Sequence, residues 1–345
     1  MTTETAGYVQ TVTGAIRPDR LGATLMHEHV FCDVTPPDKA ARGEPEVPIT
    51  LENVWEIRYN WGAHTGNQRL GDDDTAVAEL TRFRNAGGAS LVELTCTGMR
   101  PDPGRLRRAA ERSGVNIIVG CGHYVDAYMP PVVRDWSVDR FRERMLQALQ
   151  EGDPESGVKA GIIGEIGCSD PWTETEQRVM TAAVEAQKAT GASINVHPGR
   201  TAEHLFDVVA FVERAGGDVS RLVLSHIDRT VFDTPTLLRL AETGVVIEYD
   251  FFGIESTYYP FKPDVDLPND GMRLRNIRTL IEHGYLHQIA ISQDVCTRTR
   301  LRCFGGHGYG HILENVVPLM RYRGFDDSEI ETILWATPQR LLTLS

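Results

Sequence analysis

The chain has no run of 18 consecutive apolar residues, so nothing in it reads as a membrane-spanning helix. Its opening, MTTETAGYVQ, lacks the apolar centre of a signal peptide, and a cytoplasmic location is expected. Positive charge is scarce. The 35 Lys and Arg stand against 48 Asp and Glu, and the resulting net charge of −13 argues against nucleic acid or an anionic membrane as the main partner. Cysteine is thin as well: Cys32, Cys96, Cys121, Cys168, Cys296 and Cys303 are scattered, with no C-x-x-C pair. That pattern excludes a compact disulfide framework and fits reduced thiols in a chain large enough to hold a core without cross-links. Linker-like stretches and internal repeats are also missing, so residues 1–345 are read as one domain.

What is present is a rhythm. Between residues 21 and 296 lie eight short runs rich in Val, Ile and Leu: ATLMHEHV, ASLVELT, VNIIVGCGHYV, AGIIGEIG, ASINVHPG, RLVLSHID, GVVIEYDFFG and QIAISQDV. Near-continuous apolar runs of this length mark strands buried on both faces, the habit of a parallel sheet. Helical signals separate them. Thr173 and Glu176 form a capping box ahead of Val179, Ala182, Ala183 and Ala186. Leu205, Val208, Val209 and Val212 make an apolar stripe, Thr234-Pro235 starts another helix, and Leu274, Ile277 and Ile281 repeat the spacing. Eight strands alternating with helices predict a (β/α)₈ barrel, ahead of an open doubly wound sheet. A small hairpin is expected over residues 8–22, and residues 31–73, carrying Trp55, Tyr59, Trp61 and His64, form a long insertion after the first strand that suits a lid.

In such barrels the active site lies at the C-terminal ends of the strands. Those ends carry, in order, His27 and His29, Glu93, His123 and Tyr124, Glu165, His197, His226, Asp250 and Asp294. Any one rim histidine is more often a hydrogen-bonded structural residue, and Glu93 and Asp250 are read by default as taking backbone or arginine partners. The ensemble is harder to explain as packing, because buried charge is unfavourable unless paired or used on a cation. Imidazole with carboxylate suits zinc or a similar first-row ion.

That ordered set, with the segments AGIIGEIGCS, VHPGR, SHIDR, YDFFG and TRTRLRCFGGHGYGHI, resembles the phosphotriesterase family of the amidohydrolase superfamily over nearly the whole chain, and most of all its phosphotriesterase-related branch. The resemblance implies a binuclear metal-dependent hydrolase: His27, His29 and Asp294 at a buried metal, His197 and His226 at a more exposed one. It also implies two divalent ions, Zn²⁺ first and Mn²⁺, Co²⁺ or Fe²⁺ as alternatives, and a homodimer. Many relatives bridge the metals with a carboxylated lysine. Here that position is Gly164, and the resemblance to the related branch implies that the next residue, Glu165, takes the bridging role. Lys159 precedes Glu165 by six residues, about 20 Å along a strand, and is a poor substitute.

Two cations would lower the pKa of a bridging water. Asp294 is the natural proton acceptor, and His226 and Asp228 are the residues expected to position or relay that proton, with pairing to Arg229 as the alternative for Asp228. Arg298, Arg300 and Arg302 follow Asp294, while Arg200 and Arg229 follow two ligand-bearing strands. Most of these pair with the surplus acids on the ordinary reading, but arginine also grips carboxylate, sulfonate and phosphate. Tyr124, Arg229, Arg298 and Lys262 are therefore the expected substrate-binding residues. The substrate expected is a small amide or ester with an anionic tail, of the N-acyl amino acid or N-acyltaurine type. A lactonase with weak phosphotriesterase side activity, for which Tyr124 stands where lactone-hydrolysing relatives place a rim tyrosine, is the alternative. A metal-dependent lyase or decarboxylase and a non-catalytic binding protein are the readings from other classes.

Overall fold

The computed structural model describes residues 7–43 and 45–345. Eight parallel strands form one sheet in sequential order: β1 (Thr24–Glu28), β2 (Ser90–Glu93), β3 (Asn116–Cys121), β4 (Ile162–Gly167), β5 (Ile194–His197), β6 (Leu222–Leu224), β7 (Val246–Tyr249) and β8 (Ile289–Ile291). Each of the first seven is followed by a helix: α1 (Asp73–Asn85), α2 (Pro103–Ser113), α3 (Val138–Gln150), α4 (Glu174–Thr190), α5 (Ala202–Arg214), α6 (Thr234–Ala241) and α7 (Asp270–Glu282). This is the expected (β/α)₈ barrel.

Local chemistry punctuates the alternation. All seven helices start at a residue whose side chain accepts a backbone N–H of the first turn: Asp72, Asp102, Ser137, Thr173, Thr201, Asp233 and Asn269. Each such cap contributes about 1 kcal/mol. Thr173 and Glu176 form the full capping box, whereas before α6 the cap is Asp233 rather than the Thr-Pro pair itself.

Strand side chains divide between two layers. Met26, Val92, Ile118, Ile162, Val223, Val246 and Ala290 pack together inside the barrel, while Leu25, Leu91, Ile117, Ile163, Ile194 and Ile247 pack in the layer shared with the helices. The bottom of the barrel is plugged by a three-stranded sheet. The expected hairpin, Tyr8–Thr11 with Gly14–Ile16, is joined by Thr343–Leu344 from the C-terminus, and Val9, Leu21, Leu341 and Leu342 close over the interior cluster. The two-residue C-terminal strand carries no periodic signal, so the sequence does not announce it.

Glu28 closes the barrel. Its Oε1 accepts the Ser292 hydroxyl at 2.8 Å and the Gln293 N–H at 3.0 Å, and Oε2 accepts the Val295 N–H at 2.9 Å. With the Asp294 N–H donating to the His27 carbonyl at 3.1 Å, these bonds join β1 to the exit of β8.

The 31–73 insertion holds two short helices, Pro37–Arg42 and Val54–Tyr59, and a two-strand ladder of Cys32–Asp33 with Arg69–Leu70. All six cysteines are free. Among the described residues, no helix is long and apolar enough to cross a membrane.

His123, at the end of β3, is buried edge-on against Phe141 and Trp136, at 4.8 and 5.8 Å between ring centroids. Burial pushes its pKa down to about 4 from the ordinary 6.5. The unfolded chain therefore takes up this proton first as pH falls, so the native state loses stability between about pH 6.5 and 4. Acidification from pH 7 to 4.5 is expected to cost the wild type about 2–3 kcal/mol more than His123→Phe, measured by denaturant unfolding at both pH values. Equal pH slopes for the two proteins would contradict this.

Candidate metal centre

At the C-terminal mouth of the barrel is a cavity of about 570 Å³, with His29, Glu165, His197, His226 and Asp294 in its wall. His27 lies buried beneath them. Two of the strands that deliver these groups break their register where the functional residue sits: β1 between Leu25 and Glu28, and β4 between Ile163 and Ile166. Such irregularities re-aim side chains near active sites. His226 and Asp294 adopt left-handed backbone conformations, with φ of 59° and 46°. Held there at a cost of about 1–3 kcal/mol each, they turn sharply out of the β6 and β8 ends.

The donor atoms converge. Those of His27, His29 and Asp294 lie within 4.8 Å of one another, as do those of His27, Glu165 and His226. His29 Nε2 is 3.3 Å from Asp294 Oδ1 and 3.9 Å from Glu165 Oε1. Glu165 Oε2 is 2.7 Å from His197 Nδ1, 3.1 Å from His226 Nε2 and 3.6 Å from His27 Nε2. One carboxylate thus stands between a His27/His29/Asp294 group and a His197/His226 group.

A second tier of acids fixes the imidazoles. His226 Nδ1–H donates to Asp250 Oδ1 at 2.9 Å, and Asp250 Oδ2 also accepts the His226 backbone N–H. The Thr95 hydroxyl donates its single proton to Glu93 Oε1, so it accepts from His29 Nδ1 at 2.9 Å. His27 Nδ1 faces Ser225 Oγ at 3.1 Å and Glu248 Oε2 at 3.3 Å, and Glu248 is held in turn by Ser225 and Asn195. With Nδ1 engaged in all three rings, Nε2 is the nitrogen left facing the cavity. Support of this kind beneath histidine ligands sets both tautomer and basicity.

Electrostatics agree with a cation-seeking site. Burial raises the Glu165 pKa to about 7 and drives those of His226 and His197 well below the ordinary value. Burial also opposes ionisation of Asp294, but the hydrogen bond from His29 and the charge of Arg300 outweigh it and hold the carboxyl well below its usual range. His27 Nε2 is buried and lacks any hydrogen-bond partner among the described residues. An unpartnered imidazole nitrogen set against two carboxylates, Glu165 and Asp294, is what a bound cation would satisfy.

The other expected residues divide. Tyr124 lines the cavity with its hydroxyl 3.4 Å from His197 Nε2, and Arg229 Nη2 donates to the same nitrogen at 3.2 Å. Lys262 lines the cavity too, but its Nζ is held by the Arg200 carbonyl at 2.8 Å. Arg298 is a correction: it turns away to the Arg69 carbonyl and Glu46 of the insertion, outside the cavity wall. Arg302 pairs with Glu314, and it is Arg300 that doubles back to Asp294, donating to both its carboxylate and its carbonyl. Asp228 does not pair with Arg229. Its partners are the buried Arg273 guanidinium and the Asp250 N–H. Of the insertion's aromatics, Trp61 reaches the cavity wall, and Trp55 and Tyr59 line a neighbouring one. The sequence reading missed Glu248, Ser225 and Thr95. Glu248 had one signal, an acid inside the otherwise apolar run VVIEY.

Comparison with known proteins agrees with this geometry. The model of the Phosphotriesterase family matches residues 7–342. The N-acetyltaurine hydrolases of Xenopus tropicalis and Homo sapiens are 41% and 40% identical over 343 residues, covering 98% of this chain and of each relative. A crystal structure of a resiniferatoxin-binding protein from Rhodobacter sphaeroides superposes with a TM-score of 0.91 at 34% identity, covering 97% of this chain and 95% of that one. The match from end to end, with the histidines and acids gathered where that fold places its active site, shows that the chain belongs to the phosphotriesterase family and is a hydrolase.

Proposed function

We propose that this hydrolase uses two divalent metal ions, zinc foremost, to cleave the amide bond of an N-acyltaurine or a closely related N-acyl amino acid. The observation that carries the reading is the Glu165 carboxylate set between two groups of histidine nitrogens, in a chain about 40% identical throughout to proteins named N-acetyltaurine hydrolase. His27, His29 and Asp294 would hold one ion, His197 and His226 the other, and Glu165 both. When bound, such ions supply hydroxide from water near neutral pH and polarise a carbonyl oxygen.

The chain's own groups do the rest. Asp294, ionised at neutral pH and steadied by Arg300, takes the proton of the attacking water and returns it to the departing amine. Tyr124 flanks His197 and orients the acyl group from that side of the cavity, while Arg229 steadies the His197 ring. Trp61 and Met99 give the cavity apolar wall for a short acyl chain.

The test is turnover of N-acetyltaurine by metal-loaded enzyme in ¹⁸O-water. Acetate carrying one solvent oxygen, released together with taurine, is expected, and a product without solvent oxygen would exclude hydrolysis. A second measurement addresses the supporting acids. Asp250→Asn is expected to weaken metal binding by about 10- to 100-fold in chelator competition, with the fold retained by circular dichroism. Unchanged affinity would remove Asp250 from its supporting role.

A further inference from the structure

The cations around the cavity are almost all committed. Arg229 spends its terminal nitrogens on the Pro198 and Gly199 carbonyls and on His197. Arg300 holds Asp294 and lies 4.1 Å over the Trp61 ring, and Lys262 is tied to a backbone carbonyl. Arg200 is different. Its Nε donates to the Tyr259 hydroxyl at 3.0 Å, and its guanidinium lies 5.4 Å from the Phe261 ring centroid and 5.9 Å from that of Tyr259. Among the described residues no carboxylate comes within 4.0 Å of it, and neither terminal nitrogen has a hydrogen-bond partner. In a chain with 13 more acids than bases, a half-buried arginine left without a counter-ion stands out.

We infer that Arg200 is the anchor for the anionic end of the substrate, taking a sulfonate or carboxylate on its two free amino groups. Three features support the assignment. Arg200 lies in the cavity wall, on the loop leaving β5, three residues beyond His197. A two-carbon spacer between amide nitrogen and acid group would put the charge a few bonds from the carbonyl held beside that histidine. The tyrosine hydroxyl and the ring faces hold the guanidinium in one plane, so little side-chain freedom is lost when the oxyanion docks. Part of the desolvation already imposed on the cation is repaid only when the anion arrives.

The inference rests on the amide-hydrolase reading, and the experiment separates the two. Metal-loaded wild type, Arg200→Ala and Arg200→Lys are assayed with N-acetyltaurine, N-acetyl-β-alanine and the neutral N-[2-(methylsulfonyl)ethyl]acetamide. Taurine binding to each protein is measured by calorimetry. Arg200→Ala is expected to raise KM for the anionic substrates by about 10- to 100-fold, to leave kcat within a few-fold, and to leave the neutral sulfone unaffected. Arg200→Lys recovers part of the loss. The ratio of the two anionic substrates in wild type says whether sulfonate or carboxylate is the better fit. Equal losses on anionic and neutral substrates, or none on the anions, would overturn the anchor. Wild type inert toward all three would sink the amide-hydrolase reading instead. The anchor would then stand or fall on whether wild type binds taurine and Arg200→Ala does not.

Discussion

Asp294→Asn is expected to fold, to retain N-acetyltaurine binding and to lose roughly 10²- to 10⁴-fold in kcat. The fold survives because asparagine keeps an oxygen for Arg300, and Arg300 also donates to the backbone carbonyl of residue 294. What disappears is a carboxylate beside His29 whose pKa is held well below the usual range, and with it the proposed proton acceptor. Metal content is measured on the same sample, because the amide is also a weaker donor. A variant with full metal content and kcat within tenfold of wild type would remove Asp294 from proton transfer.

The second large effect concerns Glu165. Two cations in one pocket repel each other strongly unless an anion lies between them. On the proposed two-metal reading that place falls to the Glu165 carboxylate, with Oε1 toward His29 and Oε2 toward His197 and His226. Glu165→Gln keeps the shape and deletes the charge. Metal content by mass spectrometry is expected to fall from about two per chain to one or fewer, with turnover following it down. Added bicarbonate should restore nothing, since no lysine stands at this position to be carboxylated. Retention of two metals per chain by Glu165→Gln, or bicarbonate dependence of the wild type, would contradict the bridging role.

The barrel and its donor set were legible for one physical reason. Strands of a parallel barrel are buried on both faces, so His27, Glu165 or His226 stands out against an apolar run. The carboxylate supports were less visible. Glu248 and Asp250 hold histidines delivered by other strands, His27 from β1 and His226 from β6, and that pairing exists only once the barrel closes. The arginines misled for a related reason. Proximity to Asp294 in sequence favoured Arg298, but the chain turns in two short 3₁₀ segments after β8, sending Arg298 to the insertion and Arg300 back to Asp294. Asp228 found Arg273, 45 residues on in α7, rather than its neighbour Arg229.

Glu28, the acid between the two opening histidines, has a bearing on how the protein is made. It grips the backbone on either side of Asp294, 266 residues away in the chain. The group formed by His27, His29 and Asp294 is therefore absent until the last barrel strand has been synthesised and seated against the first. Contacts of such long sequence separation form slowly. On the ribosome the histidines emerge early and wait through most of translation for their third partner, so assembly of this group is coupled to synthesis of the last barrel strand.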